Sequence, residues 1–120
     1  MSTELTHEAR YKEAVRAVES GDEKAKTVVA FYRLSGLGGA KVDPDEAVLL
    51  LEERVKDKDC EAGWMLGLCY GYGIGTERDS KRAKLLYKMS KEGGSVVGSF
   101  LLENERGNGV LKIKYFFDSL

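Results

Sequence analysis

Residues Ala62 to Gly94 read AGWMLGLCYGYGIGTERDSKRAKLLYKMSKEGG, and weaker copies of this stretch stand on both sides of it. Ala25 to Asp57 repeats it upstream, and Ser95 to Gly109 begins it again downstream. Aligned on Gly36-Leu37-Gly38, Gly73-Ile74-Gly75 and Gly107-Asn108-Gly109, the copies are spaced 37 and then 34 residues apart, a period in the range of two-helix solenoid units. One helix pair cannot bury its own apolar face, so such units are stacked, and the array exposes a long side that commonly binds something.

Local signals divide each copy into two helices. Asp43-Pro44-Asp45-Glu46 offers an N-cap acceptor, a proline whose missing N–H costs nothing in the first turn, and an acidic residue three positions after the cap. It opens a helix to about Lys56 with Ala47, Leu50, Leu51 and Val55 at helical spacing. Asp79-Ser80 opens the equivalent helix of the next copy, with Ala83, Leu86, Tyr87 and Ser90 on one face, and Gly93-Gly94 closes it. The first helices are expected over about residues 23–35, 61–72 and 95–106, the first two ending at a Gly-x-Gly turn. Upstream, Leu5 to Ser20 carries Tyr11, Ala14, Val15 and Val18 on one face and stops at Gly21, the pattern of a second helix without its first. Gly63, Gly67 and Gly71 form one stripe. Each costs about 1 kcal/mol relative to alanine within a helix, so close packing of a neighbouring helix must offset it.

The 120 residues suit one domain. Its divisions are expected at 1–21 (a capping helix), 22–57 (a degenerate repeat), 58–94 (a full repeat) and 95–120 (a partial repeat or cap). Nineteen basic and 20 acidic side chains are interspersed, which leaves no positive field for a phosphate backbone, so nucleic acid is not an expected partner. The amino terminus is charged from residue 4 onward, unlike a signal peptide, and the most apolar window, residues 62–75, is shorter than the roughly 20 needed to cross a bilayer. Cys60 and Cys69 lie nine residues apart and point in different directions on one helix. Two reduced thiols in a cytoplasmic compartment are expected.

The string Ala62-x-x-x-Leu66-Gly67-x-x-Tyr70-x-x-Gly73-x-Gly75-x-x-x-Asp79-x-x-x-Ala83-x-x-x-Tyr87, closing at Glu92-Gly93, closely resembles the Sel-one-like repeat (SLR), a relative of the tetratricopeptide repeat. Ala25, Val29, Ala30, Gly36, Gly38, Asp43, Ala47 and Leu51 take the same places upstream. The third copy departs, with Leu101 for the small glycine and Asn104 for the tyrosine. The resemblance implies an all-α, right-handed α–α superhelix, here about two full helix pairs plus partial units. It also implies a scaffold for protein complexes without chemistry of its own.

Other chemistry finds little footing. Gly36-Leu37-Gly38-Gly39-Ala40-Lys41 has no Ser or Thr after the lysine and no strand before it, and Gly71 to Gly75 lacks dinucleotide spacing, so both read as turns. His7, Cys60 and Cys69 are too few for a zinc site, and His7, the one histidine, has no obvious nucleophile beside it. No cofactor, metal or catalytic residue is expected, and a hydrolase-type enzyme is the remotest alternative.

By register with the tetratricopeptide pattern, Lys24, Thr27 and Phe31, then Glu61, Trp64, Leu68 and Tyr72, then Leu102, Glu105 and Arg106 should line the concave side. Aromatic anchors framed by charge are typical of a protein-binding hot spot. The competing reading buries Trp64 and Leu68 between stacked units. The expected function is an adaptor that binds a peptide or protein surface. The alternative is a self-associating module that forms homodimers through the solenoid ends, above all Tyr115, Phe116, Phe117 and Leu120.

Overall fold

The computed structural model describes residues 6–104. Six helices follow one another: α1 (His7–Glu19), α2 (Ala25–Ser35), α3 (Pro44–Lys56), α4 (Cys60–Tyr72), α5 (Ser80–Glu92) and α6 (Val96–Glu103), with a 3₁₀ turn at Leu37–Gly39 after α2. There is no strand among the described residues. The fold is the expected α-solenoid, with α2/α3 and α4/α5 as helix pairs, α1 in the place of a second helix and α6 in the place of a first.

Caps explain the boundaries. Asp43, Asp79 and Ser95 accept hydrogen bonds from the backbone N–H groups of Glu46, Arg82 and Gly98 at 3.0 to 3.1 Å, each satisfying a donor that the first helical turn leaves open. Asp59 does the same for α4 through Glu61 and Ala62. Helices α2 and α4 end at Gly36 and Gly73, both left-handed, where a Cβ would be strained.

The second glycine of each Gly-x-Gly has a further role. A Cβ on Gly75 would run into the Pro44 carbonyl at the start of α3, and one on Gly38 would lie 2.6 Å from the His7 carbonyl at the start of α1. The turn closing each first helix therefore rests directly on the first turn of the preceding second helix. His7 thus stands against Gly38 at the start of α1 as Pro44 stands against Gly75 at the start of α3. The glycine stripe of α4 packs on α5 as expected: Gly63 faces Met89 and Ser90, while Gly67 and Gly71 face the Tyr87 ring and hydroxyl. Helix α4 is enclosed by α2, α3, α5 and α6, and Ala62 through Cys69 are all buried. Leu51, Leu66, Leu68 and Cys69 form the centre of the core.

The third copy has a different register from the expected one. Asp59 and Ser95, the N-caps of α4 and α6, are 36 residues apart, so α6 aligns with α4 at an offset of 36. Val97 corresponds to Glu61, Phe100 to Trp64, and Leu102 to Leu66. The offset of 34 taken from the Gly-x-Gly elements shifts these assignments by two positions, which is half a helical turn and turns the expected face away.

Candidate functional site

A groove of about 720 Å³ opens between α1, α2, α4 and the start of α6. Its floor is apolar, formed by Ala14, Val28, Phe31, Trp64, Met65 and Val97 among others, and Arg10, Glu13, Asp22, Lys24 and Glu61 stand around it. Lys24, Thr27, Phe31, Glu61 and Trp64, five of the residues singled out in the sequence, are brought together here.

Each is held differently. Trp64 is 3% exposed, and its indole N–H donates to Glu61 Oε2 at 2.6 Å. This fixes the ring as floor and ties down the carboxylate one turn away. Thr27 is buried, and its hydroxyl donates to Asp59 Oδ2 at 2.7 Å. That bond occupies the polar atom expected to face a partner. Phe31 is half-buried and meets the Tyr32 ring edge-on at 5.1 Å, while Val28 beside it is 42% exposed within the groove.

The remaining expected residues fall elsewhere. Leu68 is 1% exposed and belongs to the core, because α4 is enclosed on all sides where the equivalent Phe31 of α2 is not. Tyr72 is 43% exposed at the last turn of α4 and does not line the groove. Leu102 lines a separate depression with Lys84, Leu85, Lys88 and Lys91 of α5. Glu105, Arg106 and the Tyr115, Phe116, Phe117 and Leu120 patch lie outside the described residues.

The sequence reading missed two contributions. The first is the wall formed by α1 through Arg10, Glu13, Ala14 and Ala17. Helix α1 is held there by a 2.9 Å hydrogen bond between His7 Nδ1 and the Tyr32 hydroxyl, by Tyr11 against the Tyr32 ring and by Arg33 over Tyr11. Burial pushes the Tyr32 phenol pKa up, against a smaller opposing effect of Arg10. The second is Asp59, which caps α4 and also accepts from Thr27 of α2 and from Arg54 Nε of α3 at 3.4 Å. Burial alone would raise the Asp59 pKa. Hydrogen bonds from Thr27, the Ala62 N–H and Arg54 outweigh it and hold the carboxyl below its usual range. Spacing offered a signal, since Asp22 and Asp59 stand 37 residues apart, the spacing of the two Gly-x-Gly turns.

Among the described residues no group of histidine, cysteine and carboxylate side chains is arranged to hold a metal, and no helix is long and apolar enough to cross a membrane. Cys60 and Cys69 are both free thiols.

A family model for the Sel1 repeat matches residues 25–53 and 61–95. Protein sel-1 homolog 2 from Homo sapiens is 30% identical over 95 residues, 79% of this chain and 14% of that protein. Its counterpart from Rattus norvegicus is 32% identical over 87 residues, 72% of this chain and 12% of that protein. The chain thus spans about one seventh or less of the length of these relatives. A Sel1 repeat protein from Oxalobacter formigenes superposes with a TM-score of 0.66 at 27% identity, covering 80% of this chain and 38% of that one. The protective antigen c5321 of uropathogenic Escherichia coli, which displays an SLR fold, superposes with a TM-score of 0.65 at 17% identity over 95% of this chain and 26% of its own. With both helix pairs matched by the repeat model, the chain belongs to the Sel1 repeat family.

Proposed function

We propose that this protein is a non-catalytic adaptor that binds a peptide or protein segment in the groove between α1, α2, α4 and α6. The observation that carries this reading is the groove itself, an apolar floor with Trp64 locked in place and Val28 open to solvent, bordered by charges of both signs. Rigid aromatic floors supply contact area at low entropic cost, and surrounding charges set orientation and salt dependence more than affinity. Three carboxylates and two bases at the border suit a polypeptide better than a nucleic acid.

Val28→Asp tests the reading, because Val28 is exposed and its replacement should leave the core intact. A partner captured by the wild-type chain and then purified should bind the variant about tenfold more weakly or worse, with helicity unchanged by circular dichroism. Equal affinity for both proteins would remove the groove from consideration.

A further inference from the structure

Helices α3 and α5 contribute no residue to the groove. They hold equivalent places in consecutive repeats, their N-caps Asp43 and Asp79 being 36 residues apart. Both start at the same end of the array, where the Gly75 turn leading into α5 rests on Pro44 of α3, and Arg82 of α5 reaches Glu52 of α3 at 2.8 Å. Together they form a second face of the molecule.

Steps of four, three and four residues mark one stripe on each helix. On α3 it is Asp45, Leu49, Glu52 and Lys56, and on α5 it is Lys81, Leu85, Lys88 and Glu92, all exposed except the half-buried Glu52. At the repeat offset of 36 the two leucines coincide and every charge is reversed. Leu49 and Leu85 are 68% and 67% exposed. Glu52 accepts from the Tyr70 hydroxyl and from Arg82, whereas the other five charged side chains form no ion pair or side-chain hydrogen bond among the described residues. Solubility requires charge on an exposed face but no particular order of sign.

We propose that a second copy of this chain docks on the α3/α5 face, about a two-fold axis parallel to the helices. That axis lays α3 of each copy along α5 of the other, running the same way. Each of the two seams then sets Asp45 against Lys81, Leu49 against Leu85, Glu52 against Lys88 and Lys56 against Glu92, and the symmetry closes the assembly at two copies. Exposed ion pairs are weak singly, so the leucine contacts and the summed charges hold the dimer together. Two helices of 13 residues, about 20 Å long and about 10 Å apart, offer a small face, so the dimer is transient and salt-sensitive. The groove stays open in it.

Sedimentation equilibrium of the full chain should show monomer and dimer in exchange between about 10 µM and about 1 mM, weakening as salt rises from about 50 mM to about 500 mM. Lys81→Glu/Lys88→Glu should weaken the dimer by about tenfold or more at unchanged helicity, and so should Asp45→Lys/Glu52→Lys. Mixed together, the two variants should dimerise with each other as wild type does with itself, because both seams again pair acid with base. Should Asp45→Lys/Glu52→Lys lose helicity along with the Glu52 contacts, Asp45→Lys alone takes its place in the mixture. Wild type that stays monomeric across this range overturns the proposal and leaves the face to a different protein. A dimer that both reversals leave intact also overturns it, as do two weakened variants that no mixture restores. None of these results bears on the groove, whose test is Val28→Asp.

Discussion

Thr27 and Asp59 are 32 residues apart in sequence, yet the Thr27 hydroxyl donates to Asp59 Oδ2 over 2.7 Å. The same carboxylate caps α4 and accepts from Arg54 of α3, so one side chain joins the first pair of helices to the second. Removing it should uncap a helix and leave the buried Arg54 guanidinium short of a partner. Asp59→Ala is expected to cost about 2–3 kcal/mol, and Thr27→Val about 1 kcal/mol, as read by urea denaturation.

Acid should act on the same contact. The folded-state pKa of Asp59 lies below its ordinary value, so its contribution is fully present above about pH 4 and is lost as pH falls through the folded value. Asp59→Asn lacks this component. The difference in melting temperature between wild type and this variant should narrow steadily below pH 4, and a constant difference down to pH 2 would show that the carboxylate is not the stabilising group.

The glycines at positive φ divide into two classes. Gly75 and Gly39 have φ of 68° and 77°, but a Cβ on Gly75 would strike the Pro44 backbone while one on Gly39 would meet nothing within 4 Å. Gly39→Ala should cost about 1 kcal/mol of conformational strain. Gly75→Ala should cost that and more, because α3 must shift away from the turn. Equal melting temperatures for the two variants would contradict the contact.

Lys58 holds a left-handed conformation, φ 57°, at the loop position where Gly21 and Gly94 stand in the flanking loops. Its side chain is exposed. Lys58→Gly removes the Cβ strain and should stabilise the protein by up to about 1 kcal/mol, offset in part by the greater entropy of glycine in the unfolded chain.

The two thiols should differ sharply in reactivity. Cys69 is fully buried, and burial pushes its pKa up to about 12; Cys60 is half-buried in the first turn of α4. Under native conditions a thiol reagent should modify Cys60 promptly and Cys69 only at the rate of unfolding.

The repeat, the helices and their caps are legible in the residues alone, because these depend on near neighbours: an aspartate meets backbone N–H groups two or three residues on, and a glycine permits a left-handed stop wherever it stands. The sequence also named five residues of the groove, since helical periodicity places Lys24 with Thr27 and Phe31, and Glu61 with Trp64. What it could not determine was which side of each helix the neighbours would cover. Phe31 and Leu68 hold equivalent positions, yet one lines the groove and the other is core, because α4 is enclosed by four helices and α2 is not. Leu102 went astray because the Gly-x-Gly spacing and the cap spacing disagree by two residues, and packing follows the cap. The wall contributed by α1 and the clasp at Asp59 exist only once units stack, since each joins residues whose separation exceeds any local signal.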